Sequence, residues 1–71
     1  MDEQEFKMNL LLLGFVQQQF PNFYKKDYLH LYIEKYDSLD YQTEIHTFTE
    51  KCMISNSYQD TITYLIETLD N

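Results

Sequence analysis

The chain has no tryptophan, no alanine and no arginine, and it has one residue each of glycine, proline and cysteine among its 71 residues. A single cysteine excludes an internal disulfide framework. A single glycine excludes the glycine-rich loops in which backbone approaches a phosphate or a nucleotide. The fold must therefore be stabilised by Leu, Ile, Phe and Tyr side chains, or by a second chain, and this length supplies one domain, residues 1–71.

A long hydrophobic run is also missing from the chain. No stretch approaches the roughly 18 consecutive apolar residues that predict a membrane-spanning helix. The residues that follow Met1 are mainly acidic, whereas a signal peptide would begin with basic residues. The lone Cys52 fits a reducing compartment. We therefore expect no contact with a membrane and a cytoplasmic location, which is the host cytoplasm if the chain is viral.

Positive charge is scarce, since five lysines stand against twelve acidic residues and the net charge is −7. A phosphate-backbone partner needs clustered cations, so we expect no direct binding to nucleic acid. An acidic surface instead attracts and steers a basic partner protein. Solubility alone is the other explanation for such a charge.

The composition also bears on the source of the gene. Ala, Arg, Gly and Pro, which have GC-rich codons, are almost missing, whereas Phe, Tyr, Met, Ile, Asn and Lys, which have AT-rich codons, are abundant. An AT-rich gene is expected, as in many bacteriophages, low-GC bacteria and large DNA viruses.

Two segments have the pattern of amphipathic helices. In the segment 57–69, Ser57 opens a Ser-x-x-acid capping pattern, and apolar residues follow with helical spacing. In the segment 2–13, acidic residues at the start complement the helix dipole, and Gly14 suits the left-handed position that ends a helix. After Met8 this first helix is apolar over most of its circumference, so it must be deeply buried or covered by a partner.

The middle of the chain, about 20–54, has strand patterns. Leucine or isoleucine occupies every second position between 29 and 33, and threonine or isoleucine occupies every second position over 43–49. A turn is predicted between these two strands, at 37–40. Residues 52–54 can form another strand, and 20–24 an edge strand that tolerates Pro21. We predict an α+β fold in which the two helices pack on an antiparallel sheet of two to four strands. A three-residue turn would place His30 opposite His46.

A four-helix bundle is the alternative, because tyrosines recur every four residues between Tyr24 and Tyr36. The Thr, Tyr and Ile content and the lack of Ala and Arg favour strands. The side chains predicted to form the core are Phe6, Leu10, Leu13, Leu29, Leu31, Ile33, Ile62, Leu65, Ile66 and Leu69.

Catalytic and metal-binding patterns are weak. Cys52 has no electropositive neighbourhood that would activate it as a nucleophile beside His30 or His46, so we interpret it as a buried apolar residue. His30, His46 and Glu44 are too few for a structural zinc site. Glu34 and Glu44 can approach each other across a hairpin, but a chain this short leaves little room for a shielded cleft. We predict no enzyme activity, no cofactor and no metal.

A partner-binding surface is the remaining candidate. If Leu29, Leu31 and Ile33 pack on the helices, the tyrosines of the same strand line its opposite face. Tyrosine is enriched in protein interfaces because it combines apolar area with a polar group. Stacking on single-stranded nucleic acid is a second interpretation, but it lacks a basic groove; tyrosines that merely tile a hydrated sheet face are a third. The predicted partner-binding residues are Tyr28, His30, Tyr32, Glu34, Tyr36 and Glu44.

These features predict a small acidic protein-interaction module, a non-enzymatic inhibitor or regulator. In a specific form of this hypothesis, the protein is phage-encoded and covers a basic surface of a host factor, with its carboxylates mimicking nucleic-acid charge. The alternative is a structural protein that assembles with copies of itself, through the apolar first helix and the tyrosine face.

Overall fold

A computed structural model describes residues 1–37 and 39–70. Two helices pack on a five-stranded antiparallel sheet whose strands lie side by side in chain order. The elements are α1 (Glu3–Leu12), β1 (Val16–Gln17), β2 (Phe23–Lys26), β3 (Leu29–Lys35), β4 (Tyr41–His46), β5 (Lys51–Ser55) and α2 (Tyr58–Leu69). The predicted α+β fold is confirmed with one strand more than expected, and the four-helix alternative is wrong. Ser38, in the predicted turn 37–40, lies outside the described residues.

Helix α1 ends in a Schellman motif. Gly14 has a φ of 97°, its N–H donates to the Leu11 carbonyl, and the Phe15 N–H donates to the Leu10 carbonyl. This arrangement satisfies carbonyls that the end of a helix leaves unpaired. It also brings Phe15 into the core beside Leu10, since both side chains are buried. The predicted role of Gly14 is confirmed.

Helix α2 begins at the predicted cap. The Ser57 hydroxyl accepts the Asp60 N–H at 3.2 Å, as the capping pattern requires. A second donor of the same helix end, the Tyr58 N–H, bonds to the Tyr41 hydroxyl at 2.9 Å. Because Tyr41 belongs to β4, this contact ties the start of α2 to the sheet.

The hairpin β3–β4 has the predicted register, with His30 opposite His46. The pairing continues beyond Lys35 and Tyr41, because the Tyr36 N–H donates to the Asp40 carbonyl at 2.8 Å. Three positions, 37–39, are left between the paired residues, as the predicted three-residue turn requires. The predicted edge strand 20–24 is wrong. Pro21 lies in the turn before β2, and β1, only two residues long, pairs outside β2 at the sheet edge.

The core lies between the helices and one face of the sheet. Most of the predicted core residues are buried, and Leu13 and Leu69 are partly buried against them. Ile66 is 45% exposed, so its prediction is wrong. Thr61 is buried instead, because the buried side of α2 consists of Tyr58, Thr61, Ile62 and Leu65. Buried residues that were not in the predicted core are Phe15, Tyr24, Ile45, Tyr58, Thr43 and Thr61.

Two buried threonines join α2 to β4. The hydroxyls of Thr43 and Thr61 are 2.6 Å apart, and neither side chain has any exposed surface. Each also lies near a backbone carbonyl, of Ser55 and Ser57 respectively. The pair is therefore a fully desolvated polar contact within an apolar core, and its hydroxyls depend on each other.

We expect Thr61→Val to lower the free energy of unfolding by about 1–2 kcal/mol, because it leaves the Thr43 hydroxyl without its side-chain partner. The double variant Thr43→Val/Thr61→Val should lose less unfolding free energy than the two single variants lose together, since neither hydroxyl is then left without its partner. Urea unfolding of the four proteins measures the coupling. Strictly additive losses would show that the two hydroxyls do not interact.

An aromatic stack lies where α1, α2 and β4 meet. The Tyr58 ring stacks on Tyr41 at 3.7 Å between centroids and on Phe6 at 4.6 Å. Burial, followed by the negative charge of Glu3 and the neighbouring Tyr41, raises the pKa of Tyr58 to about 12 from an ordinary value of 10.0. The neutral phenol is thus the form that the fold accommodates.

Stability should consequently fall as the pH rises from about 10 to about 12. In that window the unfolded chain releases the Tyr58 proton while the folded chain retains it, so the unfolded state is favoured. Tyr58→Phe should move the alkaline unfolding midpoint upward, and Tyr28→Phe, at an exposed position, should leave it unchanged. A midpoint insensitive to Tyr58→Phe would contradict this account.

Candidate functional site

The candidate site is the sheet face opposite the helices. In β3, Leu29, Leu31 and Ile33 point into the core, so His30, Tyr32 and Glu34 lie on the other side. The register between strands adds Phe23 beside Tyr32, and His46 beside His30. Phe48 follows in the connection after β4. We call the five rings of Phe23, His30, Tyr32, His46 and Phe48 the aromatic face.

The rings of the aromatic face contact one another continuously. Phe23 and Tyr32 stack at 4.6 Å between centroids with planes 11° apart. Tyr32 and His46 meet edge to face at 5.4 Å, and His30 and Phe48 do so at 5.1 Å. Such pairs stabilise a structure beyond the area they bury. The face is therefore ordered by its own contacts before any partner arrives.

A groove of about 640 Å³ runs over this face. Its volume falls within the range of sites that hold a ligand or a few side chains of a partner. Phe20 and Phe48 at its margin are 67% and 72% exposed. The lining residues are Phe20, Asn22, Phe23, His30, Tyr32, Ile33, Glu34, Glu44, His46, Thr47 and Phe48.

Two carboxylates share the groove with the rings. Glu44 Oε1 lies 3.1 Å from Lys51 Nζ and 3.2 Å from His46 Nε2. The Lys51 contact is the main reason that the pKa of Glu44 lies below its ordinary value, against the opposing effect of burial. Glu34 accepts a hydrogen bond from the Tyr36 hydroxyl on Oε2, at 2.9 Å. Glu44 is consequently charged at neutral pH, and both carboxylates are held by side chains of the chain itself.

All five lysines make contacts within the chain. Two of them form ion pairs with Glu3, one pairs with Glu44, and one donates to a helix-end carbonyl at 2.6 Å. Lys25 Nζ lies 5.8 Å from the centre of the Phe48 ring, the distance of a cation–π contact. Twelve acidic residues against these five cations leave the surface strongly negative. The lysines, in chain order, are Lys7, Lys25, Lys26, Lys35 and Lys51.

His30 has an unsatisfied nitrogen. Its Nε2 is buried and has no hydrogen-bond partner among the described residues. The rings of Phe23 and Phe48 pack edge to face against the imidazole, which explains how water is kept away. A buried polar atom without a partner costs free energy, so this histidine is not optimal for stability.

Four of the six predicted partner-binding residues meet in the groove, namely His30, Tyr32, Glu34 and Glu44. Tyr28 lies in the turn between β2 and β3, and Tyr36 lies beyond the end of β3. Both are well exposed, but neither lines the groove.

Sequence reasoning did not assign Phe20, Phe23, His46 and Phe48 to this surface. Phe23 reaches this surface because β2 pairs with β3 through a two-residue turn at 27–28. The sequence signal for that turn is Asp27, which adopts a φ of 52°. The sequence offers His46 as a candidate metal ligand and as a candidate base beside Cys52, and His46 is not among the predicted partner-binding residues. The described residues contain no group of three or more side chains suited to hold a metal ion. Cys52 is half-buried and packs against the core.

A second apolar surface lies on α1. Met8, Leu11 and Leu12 are 58%, 57% and 82% exposed, while Phe6 and Leu10 are buried. The helix thus covers the core with one side and leaves large apolar side chains on another. This surface lies on a different element from the groove.

Comparison with protein families, with curated proteins and with solved structures yields no match. Within the described part of the chain, neither helix has the length and apolar character required to cross a membrane. Function must therefore be inferred from the geometry and chemistry of the surface itself.

We expect His30→Phe to raise the free energy of unfolding by about 1 kcal/mol, because it removes the unpaired nitrogen and keeps a ring among the aromatic contacts. His46→Phe is the matched control. It should not stabilise the protein, since the His46 imidazole lies 3.2 Å from a carboxylate oxygen of Glu44. Thermal unfolding of both variants measures the difference. A loss of stability in His30→Phe would mean that the imidazole makes a favourable interaction.

Proposed function

We propose that this protein is a non-enzymatic interaction module that binds a basic segment of another protein in the groove over the aromatic face. The observation that carries the proposal is the combination of five contacting rings with two carboxylates, Glu34 and Glu44, in one groove of about 640 Å³. Aromatic rings supply apolar area and attract cations, and carboxylates form ion pairs with cations. A basic peptide satisfies both kinds of group at once.

The charge of the chain supports the same partner. The net charge is −7, and the chain's own lysines already have contacts, so a basic partner meets an excess of negative charge. Such complementarity speeds association and disfavours acidic competitors. A face dominated by one charge sign would also repel nucleic acid, which agrees with a protein partner.

The biological consequence that we propose is inhibition or regulation of the partner. A small acidic protein that covers a basic surface blocks whatever that surface normally holds, including nucleic acid, whose charge it mimics. We place this action in the cytoplasm, or in the host cytoplasm if the chain is phage-encoded. Composition and charge support this part of the proposal.

Self-assembly is the second candidate function, and the exposed apolar side chains of α1 favour it. Met8, Leu11 and Leu12 together are the kind of patch that a second copy can cover. Light scattering after size exclusion separates the candidates. A dimer that Leu12→Glu dissociates would support assembly, whereas a monomer leaves partner binding through the groove.

The principal test uses an array of short basic, neutral and acidic peptides probed with the purified protein. We expect binding to basic peptides that weakens as salt rises to physiological strength. Tyr32→Ala should weaken binding by about 2 kcal/mol, as expected for an aromatic residue at the centre of an interface. It should also lower stability, by about 1 kcal/mol, because Tyr32 stacks on Phe23.

Tyr28→Ala is the matched control, since Tyr28 is exposed but does not line the groove. Its binding should equal that of the unsubstituted protein. Equal losses in the two variants would favour an extended tyrosine row, as the sequence alone suggested. Binding that ignores both peptide charge and Tyr32→Ala would refute the proposal.

A further inference from the structure

We propose that the groove is specific for arginine: the guanidinium of a partner's arginine lies between the carboxylates of Glu34 and Glu44 and against the rings of the aromatic face. This inference rests on the proposed function and names the side chain that the groove selects. It follows from the register of β3 and β4, from the contacts of the two carboxylates, and from the composition of the chain.

The register makes both carboxylates neighbours of one ring, that of Tyr32. Tyr32 lies opposite Glu44, and Glu34, two residues further along β3, lies opposite Gln42. Glu34 and Glu44 are thus diagonal neighbours on the same face, a relation in which Cα atoms are about 7–8 Å apart. A guanidinium presents five N–H donors in one plane and can donate to both carboxylates at once.

In both Glu34 and Glu44, the contacts with neighbouring side chains use only one of the two carboxylate oxygens. Lys51 and His46 both approach Oε1 of Glu44, and the Tyr36 hydroxyl bonds to Oε2 of Glu34. These neighbours position the carboxylates without using Glu44 Oε2 or Glu34 Oε1 in those contacts. A partner's guanidinium therefore meets acceptors that are already oriented, which reduces the ordering cost of binding.

The rings favour guanidinium over ammonium. Arginine is planar and weakly hydrated, so it stacks on aromatic rings more readily than lysine does, and it forms paired hydrogen bonds that a lysine ammonium cannot form. Two of the chain's own lysines contact lining residues of the groove: Lys25 lies at the exposed ring of Phe48, and Lys51 pairs with Glu44. The chain contains no arginine. Every arginine contact in the groove must come from another molecule. At Glu44 the arginine shares the carboxylate with Lys51 and His46, which both approach Oε1.

The experiment compares three peptides, acetyl-Gly-Ser-Xaa-Ser-Gly-amide with arginine, lysine or citrulline at Xaa. Citrulline keeps the planar shape of arginine but has no charge. NMR titration gives each affinity and reports whether the ring signals of Tyr32 and His46 move. We expect the arginine peptide to bind about tenfold more tightly than the lysine peptide, since one charged hydrogen bond accounts for such a factor. The citrulline peptide should bind most weakly.

Glu34→Gln and Glu44→Gln should each reduce the preference for arginine over lysine at least several-fold. Glu5→Gln makes the same change of charge on α1, on the other side of the sheet, and should preserve the preference. Thermal unfolding of each variant confirms that the fold is intact. Persistence of the preference in both groove variants would overturn the assignment of the guanidinium to these carboxylates.

The outcomes separate this inference from the proposed function. Equal affinity for arginine and lysine, with loss for citrulline, would refute arginine specificity and retain a groove for basic segments. Ring signals that no peptide moves, together with failure of the basic array peptides, would refute both.

Discussion

The structure depends on the fact that two helices cover only one face of a five-stranded sheet. Each strand must therefore satisfy two environments with alternate residues. In β3 the requirement is clearest, since Leu31 has no exposed surface while its neighbour Tyr32 is 37% exposed. The hydrophobic core accounts for one set of side chains. The other set must cover the backbone of the second face without a layer of protein above it.

Aromatic side chains meet this second requirement by packing on one another. The stack of Phe23 on Tyr32 and the edge contacts of the two histidines cover the strands from above. The same rings remain accessible along a groove, and Glu34 and Glu44 lie among them. The side chains that stabilise this face are thus the same ones through which we propose that it binds. The unpaired Nε2 of His30 shows that the face is not optimised for stability alone.

The charged side chains also fall into two groups, the lysines with contacts inside the chain and the excess of acidic residues. The five lysines are used within the chain, for ion pairs, for a helix end and at the Phe48 ring. The twelve acidic residues outnumber the five lysines, and this excess gives the surface its sign.

Local patterns were sufficient for the helices and for the hairpin register. Ser57 and Gly14 act within a few residues of their positions, and the pairing of His30 with His46 follows from alternation on both sides of one turn. The burial of Thr61 in α2 was not readable in this way. Thr61 is buried because its hydroxyl finds a partner in Thr43, and that partner belongs to a strand distant in sequence.

The sequence by itself determined the fold class, the two helices, the inward-facing side of β3 and the acidic surface, because each depends on composition or on residues close together in the chain. Only the tertiary structure decided which rings form the groove. Phe23, Tyr32, His46 and Phe48 come from three strands and a connection, and their contacts depend on the pairing of β2 with β3 and of β3 with β4. Alternation around one turn indicates the pairing of β3 with β4. The contacts among rings from three strands depend in addition on the pairing of β2 with β3 and on the packing of the whole sheet on its helices.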